Sequence, residues 1–167
     1  ASSYQNHSKY MQNTATRRAT SDDLDALATL FDQYRQFYDQ APNREAARTF
    51  IAARMANAES VIWVGLDAQD HIAGFCQLYP SFCSVAAAPI FVLYDLFVAP
   101  TARRSGLARS LMCAAQDYAA AQGVARMDLT TAHNNSQAQA LYESLGWQMD
   151  TVFRAYNWTP QSVTRTA

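Results

Sequence analysis

Neither sign of charge dominates this chain: 13 Lys and Arg oppose 14 Asp and Glu, a formal net charge of -1 over 167 residues. A general binder of nucleic acid or of a membrane surface needs a basic face, so neither partner is expected. No apolar run approaches the roughly 18 residues that span a bilayer, and the polar stretch from Ala1 to Asn13 has no signal-peptide core. Cys76, Cys83 and Cys113 are odd in number and lack Cys-x-x-Cys or Cys/His ligand spacing. They read as free thiols of a reducing, cytoplasmic compartment. His7, His71 and His133 share no ligand spacing either, so no metal site is expected. There is no internal repeat, no low-complexity block and no linker that would divide domains.

What is present is a core. Half of the residues are hydrophobic and 12% are aromatic, which suits one self-sufficient domain. Residues 1–13 read as a disordered segment in which Met11 is a candidate native start. Residues 14–160 read as the domain, and 161–167 as a tail.

Thr16 to Ala19 reads as a first strand, and Thr20-Ser21-Asp22-Asp23 as a helix start. Leu24, Leu27, Phe31, Tyr34 and Tyr38 recur at helical spacing, which predicts a helix over Asp22 to Tyr38. A second helix is expected from Arg44 to Asn57. Ser60 to Leu66 is a buried strand, and Ile72 to Leu78 pairs back on it across Asp67-Ala68-Gln69-Asp70. Tyr79 to Pro89, with its two prolines, reads as an irregular loop. Ile90 to Val98 is the central strand. Gly106 to Gln122 is a helix whose inner face is Leu107, Leu111, Ala114 and Tyr118, stopped by Gly123. Met127 to Thr131 is a strand and Ser136 to Leu145 a helix facing inward with Ala138, Leu141, Tyr142 and Leu145. Trp147 to Met149 and Val152 to Trp158 are expected to close the sheet. The order β-α-α-β-β-β-α-β-α-β-β implies an α/β fold, a mixed sheet flanked by about four helices.

The densest chemistry lies between Val92 and Ala108, VLYDLFVAPTARRSGLA. An apolar strand runs into a basic glycine turn that opens a helix. Gly106 lets the main chain approach a ligand, and the first-turn amides of the helix lack intrahelical acceptors. With the helix dipole they form a cradle for phosphate or pyrophosphate, made of Arg103, Arg104, Ser105, Gly106, Leu107 and Ala108. The two arginines add charge-assisted hydrogen bonds.

The spacing Arg103-x-x-Gly106-x-Ala108 resembles the acyl-coenzyme A signature R/Q-x-x-G-x-G/A of the GNAT superfamily of N-acetyltransferases. Asn135 to Trp147, NSQAQALYESLGW, is similar to a second signature of the same superfamily, N-x-x-A-x-x-L-Y-E-x-x-G-F/W. The two stand in the family's order, separated by one helix and one strand, and the element order from Thr16 to Trp158 matches as well. The run YDLFVAP is similar to the branch with the spermidine/spermine and small histone/polyamine-type enzymes.

The resemblance implies a mixed, mostly antiparallel GNAT-like sheet and acetyl transfer from acetyl-coenzyme A to an amine by direct attack, through a tetrahedral intermediate. It implies that the central strand bulges and splays from its neighbour, exposing the amides of Leu96, Phe97 and Val98 to the pantetheine arm and the oxyanion. Such a donor is worth on the order of 3 kcal/mol in other enzymes. Tyr142 falls on the position of the general acid for the leaving thiolate; as a core tyrosine beside Leu141 and Leu145 it would have no such role. Asn135 and Ala138 fall on positions that contact the cofactor arm, although Asn135 also suits a plain helix cap. Polyamine enzymes carry a Glu before the Asp of the central strand, and this chain has Tyr94 there. The candidates for the base, or for a water relay to it, are therefore Asp95, Tyr94 and Tyr79.

In this fold the acceptor lies between the first helices and the loop before the central strand. That region offers Tyr34, Phe37, Tyr38 and Asp39, with Tyr79 opposite. Aromatic walls and a carboxylate suit a cationic small-molecule amine, polyamine or amino-acid-like. The resemblance also implies a homodimer. A peptide or protein amine acceptor, and a non-catalytic acyl-coenzyme A sensor, are the alternative readings.

Overall fold

The computed structural model describes residues 15–160, so the expectations for 1–13, including Met11 and His7, and for 161–167 lie outside the described residues. Two compact units divide between Thr131 and Ala132. The first carries a five-stranded sheet in the order β1-β2-β3-β4-β5. Its strands are β1 (Ala15–Arg18), β2 (Val61–Leu66), β3 (Ile72–Cys83), β4 (Ala88–Val98) and β5 (Met127–Asp128). The pairings from β1 to β4 are antiparallel, and β5 runs parallel to β4. The sheet is thus mixed and mostly antiparallel, as expected.

Helices α1 (Leu24–Phe37) and α2 (Arg44–Ala56) cover one face of the sheet, and α3 (Leu107–Gln122) the other. Strand β2 is buried almost throughout because both of its faces are covered, which explains why its sequence reads as a continuous apolar run. Under α1 and α2 lies a core of Leu27, Leu30, Phe31, Ala47, Ile51, Ile62, Val64, Phe75 and Phe97.

The start of α1 is a single 3-10 turn, Ser21–Asp23, rather than α-helix. Asp23 folds back to accept from the Thr20 amide (2.8 Å) and binds the Arg17 guanidinium through both oxygens (2.7 and 2.9 Å). This tethers the helix start to β1. Asp32, buried in α1, accepts from the Asn43 amide (2.8 Å), and Asn43 in turn caps α2 by accepting from Ala46 N (3.0 Å).

Three expectations are corrected. Tyr79 to Pro89 is not an irregular loop: Tyr79–Cys83 extends β3, Ala88 and Pro89 begin β4, and only Ser84 to Ala87 turns. The prolines are tolerated because of register. Pro80 stands opposite Phe91, whose amide turns away from β3 to donate to the Arg126 carbonyl (3.2 Å), so this pair needs no hydrogen bond from Pro80. The inner face of α3 is Leu107, Leu111, Met112, Ala115 and Ala119, not Ala114 and Tyr118, which are half-buried. Finally, residues 145–160 contain no strand. Asp150 Oδ1 accepts from the amides of Val152 (2.8 Å) and Phe153 (3.0 Å), a local turn that competes with strand pairing.

Helix α3 sits low on the sheet because Gly65 of β2 and Gly74 of β3 face each other in register beneath Leu107. A Cβ at Gly65 would stand 2.6 Å from Leu107 Cδ1 and 2.9 Å from its Cγ. We expect Gly65→Ala to cost about 1–3 kcal/mol in chemical denaturation. Because Leu107 is the first residue of α3, the same change should also displace the helix start.

Candidate active site

Strand β4 carries a bulge. Leu93 pairs with Leu78 and Asp95 with Gln77, so Tyr94 is an extra residue that the register skips. Beyond Val92, β4 has no partner in β5, which pairs only with Phe91 and Val92. The sheet therefore opens beside residues 93–98. The Ala99 amide donates to the Ala73 carbonyl (2.8 Å), which fixes the alternation of the strand. It turns the amides of Phe97 and Asp95 toward β3, and those of Leu96 and Val98 toward the opening.

At the end of β4 a 3-10 turn, Pro100–Ala102, leads into the cradle sequence. Arg104 (φ 62) and Gly106 (φ 81) are both left-handed, a winding that curls successive amides around a concavity. Ser105 Oγ donates to the Ala102 carbonyl (2.6 Å) and holds the turn. The helical ladder begins only with Ser110 N to Gly106 O (3.0 Å), so the amides of Leu107 and Ala108 precede it. A Cβ built on Gly106 meets nothing within 4 Å, so the space above the turn is open. Arg103 lies back over the Phe97 ring (5.7 Å) and its Nε donates to the Val98 carbonyl (3.2 Å).

On the α1 face of the bulge is a buried polar cluster. Asp95 is 3% exposed and Gln77 0%. Gln77 Nε2 donates to Asp95 Oδ2 (2.7 Å) and to the Tyr79 hydroxyl (3.0 Å), while Gln77 Oε1 accepts from Ser60 Oγ (2.7 Å). The single hydroxyl proton of Tyr34, from α1, is shared between the Tyr94 carbonyl (3.4 Å) and the Asp95 carboxyl. Burial pushes the Asp95 carboxyl above the ordinary carboxylate range, against the lowering effect of Gln77 and Tyr34. Burial and the nearby Asp95 push Tyr79 up to about 12 and Tyr34 higher still, so both stay protonated. Of the candidate bases, Tyr79 is therefore a donor rather than an acceptor of protons.

Tyr79 and Tyr94 meet edge to face (5.4 Å), as do Tyr34 and Tyr38 (5.1 Å). Phe37 is exposed at the end of α1, so it is not part of the core. Asp39 follows at a left-handed position (φ 62) on the surface. One face of the first unit thus gathers Tyr34, Tyr38, Tyr79, Tyr94 and Asp95. Gln77 and Ser60 escaped the sequence reading, although a glutamine inside the apolar run IAGFCQL is the signal that marks them.

The second unit carries α4 (Ser136–Ser144). Asn135 caps it, Oδ1 accepting from the Ala138 amide (3.3 Å). Tyr142 is half-buried on the face shared with Ala138, Leu141 and Leu145, and its ring lies 6.3 Å from that of Trp147. Gly146 (φ 91) turns the chain so that the Trp147 amide donates to the Tyr142 carbonyl (3.1 Å).

Among the cysteines, Cys76 is buried and its thiol pushed up to about 12, and Cys113 is exposed on α3. At Cys83 the Ala86 amide and the Arg126 guanidinium hold the thiol below its usual range. His71 and His133 are exposed. No group of metal-binding side chains, and no helix long and apolar enough to cross a membrane, occurs among the described residues.

A splayed, bulged strand that delivers an anion cradle at its end is the architecture of an acyl-coenzyme A-dependent N-acetyltransferase. The chain belongs to the acetyltransferase (GNAT) family, whose profile matches residues 24–147. It is 45% identical over 140 residues to the uncharacterized N-acetyltransferase YhfO of Bacillus subtilis (strain 168), covering 84% of this chain and 93% of that protein. A probable acetyltransferase of Haemophilus influenzae is 32% identical over 95 residues, 57% of this chain and 65% of that one. A crystal structure of a probable acetyltransferase superposes with a TM-score of 0.82 at 38% identity, over 88% of this chain and 98% of that chain. An aminoglycoside acetyltransferase from a soil metagenome, at 16% identity and a TM-score of 0.71, shares the fold. Members of the family use acetyl-coenzyme A. The open, amide-lined turn at Gly106 and its two arginines fit the pyrophosphate of that cosubstrate.

Between the pH at which an unfolded aspartate ionises, about 3.9, and the higher value of folded Asp95, the folded chain holds the extra proton. Its stability therefore falls as pH rises through that window. Asp95→Asn should remove this loss, giving a melting temperature less dependent on pH and above that of the parent at neutral pH. Parallel melting curves for the two proteins check it.

Proposed function

We propose that this chain moves the acetyl group of acetyl-coenzyme A to the primary amine of a cationic small molecule by direct attack, with no covalent enzyme intermediate. The observation that carries this reading is the buried carboxyl of Asp95 beneath Tyr34, Tyr38, Tyr79 and Tyr94 at the bulge of β4. A primary ammonium with a pKa near 10.4 must lose a proton before it attacks, and Asp95 is the acceptor, directly or through one hydroxyl or water. Tyrosine rings offer the same cation attractive faces.

The bound cosubstrate supplies an acetyl thioester; the chain supplies its surroundings. Arg103, Arg104, Ser105, Gly106, Leu107 and Ala108 hold the pyrophosphate. The amides of Leu96 and Val98 face the pantetheine arm and stabilise the oxygen on which negative charge grows, while Phe97 contributes its ring beneath Arg103. Tyr142 donates the proton to the departing thiolate, and Asn135 and Ala138 contact the arm. Tyr38, Asp39, Tyr79 and Tyr94 frame the acceptor. With a tyrosine where polyamine enzymes carry Glu, polyamines and amino-acid-like amines are both within the acceptor class. The working assembly is a cytoplasmic homodimer, and sedimentation velocity reads its size.

One observation favours a second reading, a peptide or protein amine. Tyr79 to Pro89 forms part of a β-hairpin whose tip exposes Phe82 and Val85, apolar surface against which a peptide can lie.

The test is coenzyme A thiol release with a panel of polyamines, free amino acids of both hands, aminoglycosides and lysine peptides. Release should depend on a small cationic amine. Release on peptides alone selects the second reading, and silence from a protein that binds coenzyme A contradicts both and points to a sensor. With the active amine, Tyr142→Phe should lower turnover by about 100-fold or more. Full turnover in that variant excludes Tyr142 as the acid.

A further inference from the structure

Gln77 has no role in the reaction as described so far, yet it is wholly buried and every polar atom of its side chain is engaged. A carboxylate can only accept hydrogen bonds, so the glutamine must present nitrogen, not oxygen, to Asp95. Ser60 secures the same orientation from the other end by donating to Oε1 at 2.7 Å. Both protons on Nε2 are then spent, one on Asp95 Oδ2 and one on the Tyr79 oxygen. Because the Tyr79 oxygen accepts, its own O–H is directed elsewhere.

We infer that Gln77 is a positioning residue for acetyl transfer: it holds Asp95 in the orientation and charge state of a proton acceptor and makes Tyr79 a hydrogen-bond donor toward the acceptor molecule. The inference rests on the amine-acetylation reading above. The step it serves is a proton transfer in which R–NH3+ and the Asp95 carboxylate become R–NH2 and a carboxylic acid. The lone pair freed on nitrogen then forms the new N–C bond while the carbonyl π pair moves onto oxygen. As that pair returns, the C–S bond breaks and the thiolate takes its proton from Tyr142. The nitrogen sheds its second proton to solvent, and Asp95 and Tyr142 are reset by exchange with solvent. An amide gives up no proton in this range, so Gln77 orients the groups and does not relay between them.

The groups that bear on Asp95 are few. Tyr34 faces it from α1, with Tyr38 beyond; Cys76, Gln77 and Tyr79 lie on β3; Tyr94 adjoins it on β4. From α2, Arg54 acts on Tyr79 as a cationic influence. Gln77 is the strongest of the hydrogen bonds that favour the ionised form of Asp95. Removing it leaves burial opposed by Tyr34 alone.

The test uses full-length protein labelled with 13C at aspartate carboxyls, compared as parent, Gln77→Leu and Ser60→Ala. Two quantities are read against pH: the Asp95 carboxyl resonance without substrates, assigned by its loss in Asp95→Asn, and kcat/KM for thiol release. Gln77→Leu should raise the carboxyl midpoint by about one pH unit, a tenfold change in the ionisation constant, and the acid limb of kcat/KM should move up with it. Ser60→Ala, which loosens the amide without removing it, should move both in the same direction by less. It keeps the proposal open to test even where Gln77→Leu fails to fold. An unmoved midpoint in the folded variants overturns the proposal. A moved midpoint with a fixed acid limb also overturns it, because Gln77 then tunes a carboxyl that takes no proton from the substrate. If no amine supports thiol release in the parent, the acetylation reading falls, while the carboxyl midpoint still decides whether Gln77 controls Asp95.

Discussion

A carboxylate on a strand covered by helices on both faces is costly, and the cost of Asp95 organises what surrounds it. The bulge at Tyr94 breaks the regular register at this point. Gln77, Ser60 and Tyr79 form a chain of fitted donors and acceptors, and Tyr34 brings a hydroxyl from α1 to the same group. A buried polar network of this kind is stable only when its members are satisfied, so the pairing of β3 with β4 and the seating of α1 are tied to one side chain. The cost of keeping a carboxyl dry is also what raises its proton affinity.

The cradle depends on a different constraint, a matter of volume. Gly65 and Gly74 remove two side chains from the sheet where Leu107 lands, so α3 starts close against the strands. The amides at its first turn are thereby held in a fixed place relative to the sheet. Backbone does most of the work there. Gly106 needs its left-handed conformation, and Ser105 pins the turn, whereas Arg103 and Arg104 supply charge from the surface. Strand β4 links the two features, with the buried carboxyl at its bulge and the glycine turn at its end.

Much of this was legible in the sequence because it depends on local signals. The glycine turn after VLYDLFVAP, the helical spacing of Leu24 to Tyr38 and the stop at Gly123 each have a nearby cause, and each of these elements lies close to its expected position. The phase of α3 was not legible, since an alanine-rich helix offers little contrast between faces, and the buried row proved to be Ala115 and Ala119. The two prolines suggested a loop because sequence does not show on which side of a ladder an amide points; Pro80 sits where none is needed. The strands expected after Trp147 required partners at a distance, and Asp150 captured the local amides instead. Gln77 was missed for a related reason: Ser60, just before β2, and Asp95, on β4, are 17 and 18 residues away in sequence.

Asp95 can take the proton only if the acceptor nitrogen binds beside it. The most direct measurement is a crystal structure of the protein with coenzyme A and an amine that supports thiol release. The nitrogen is expected about 3 Å from the Asp95 carboxyl, or from a hydroxyl or water bonded to it, on the tyrosine side of β4. An amine seated elsewhere, with Asp95 still enclosed by Gln77 and Tyr34 alone, would contradict it.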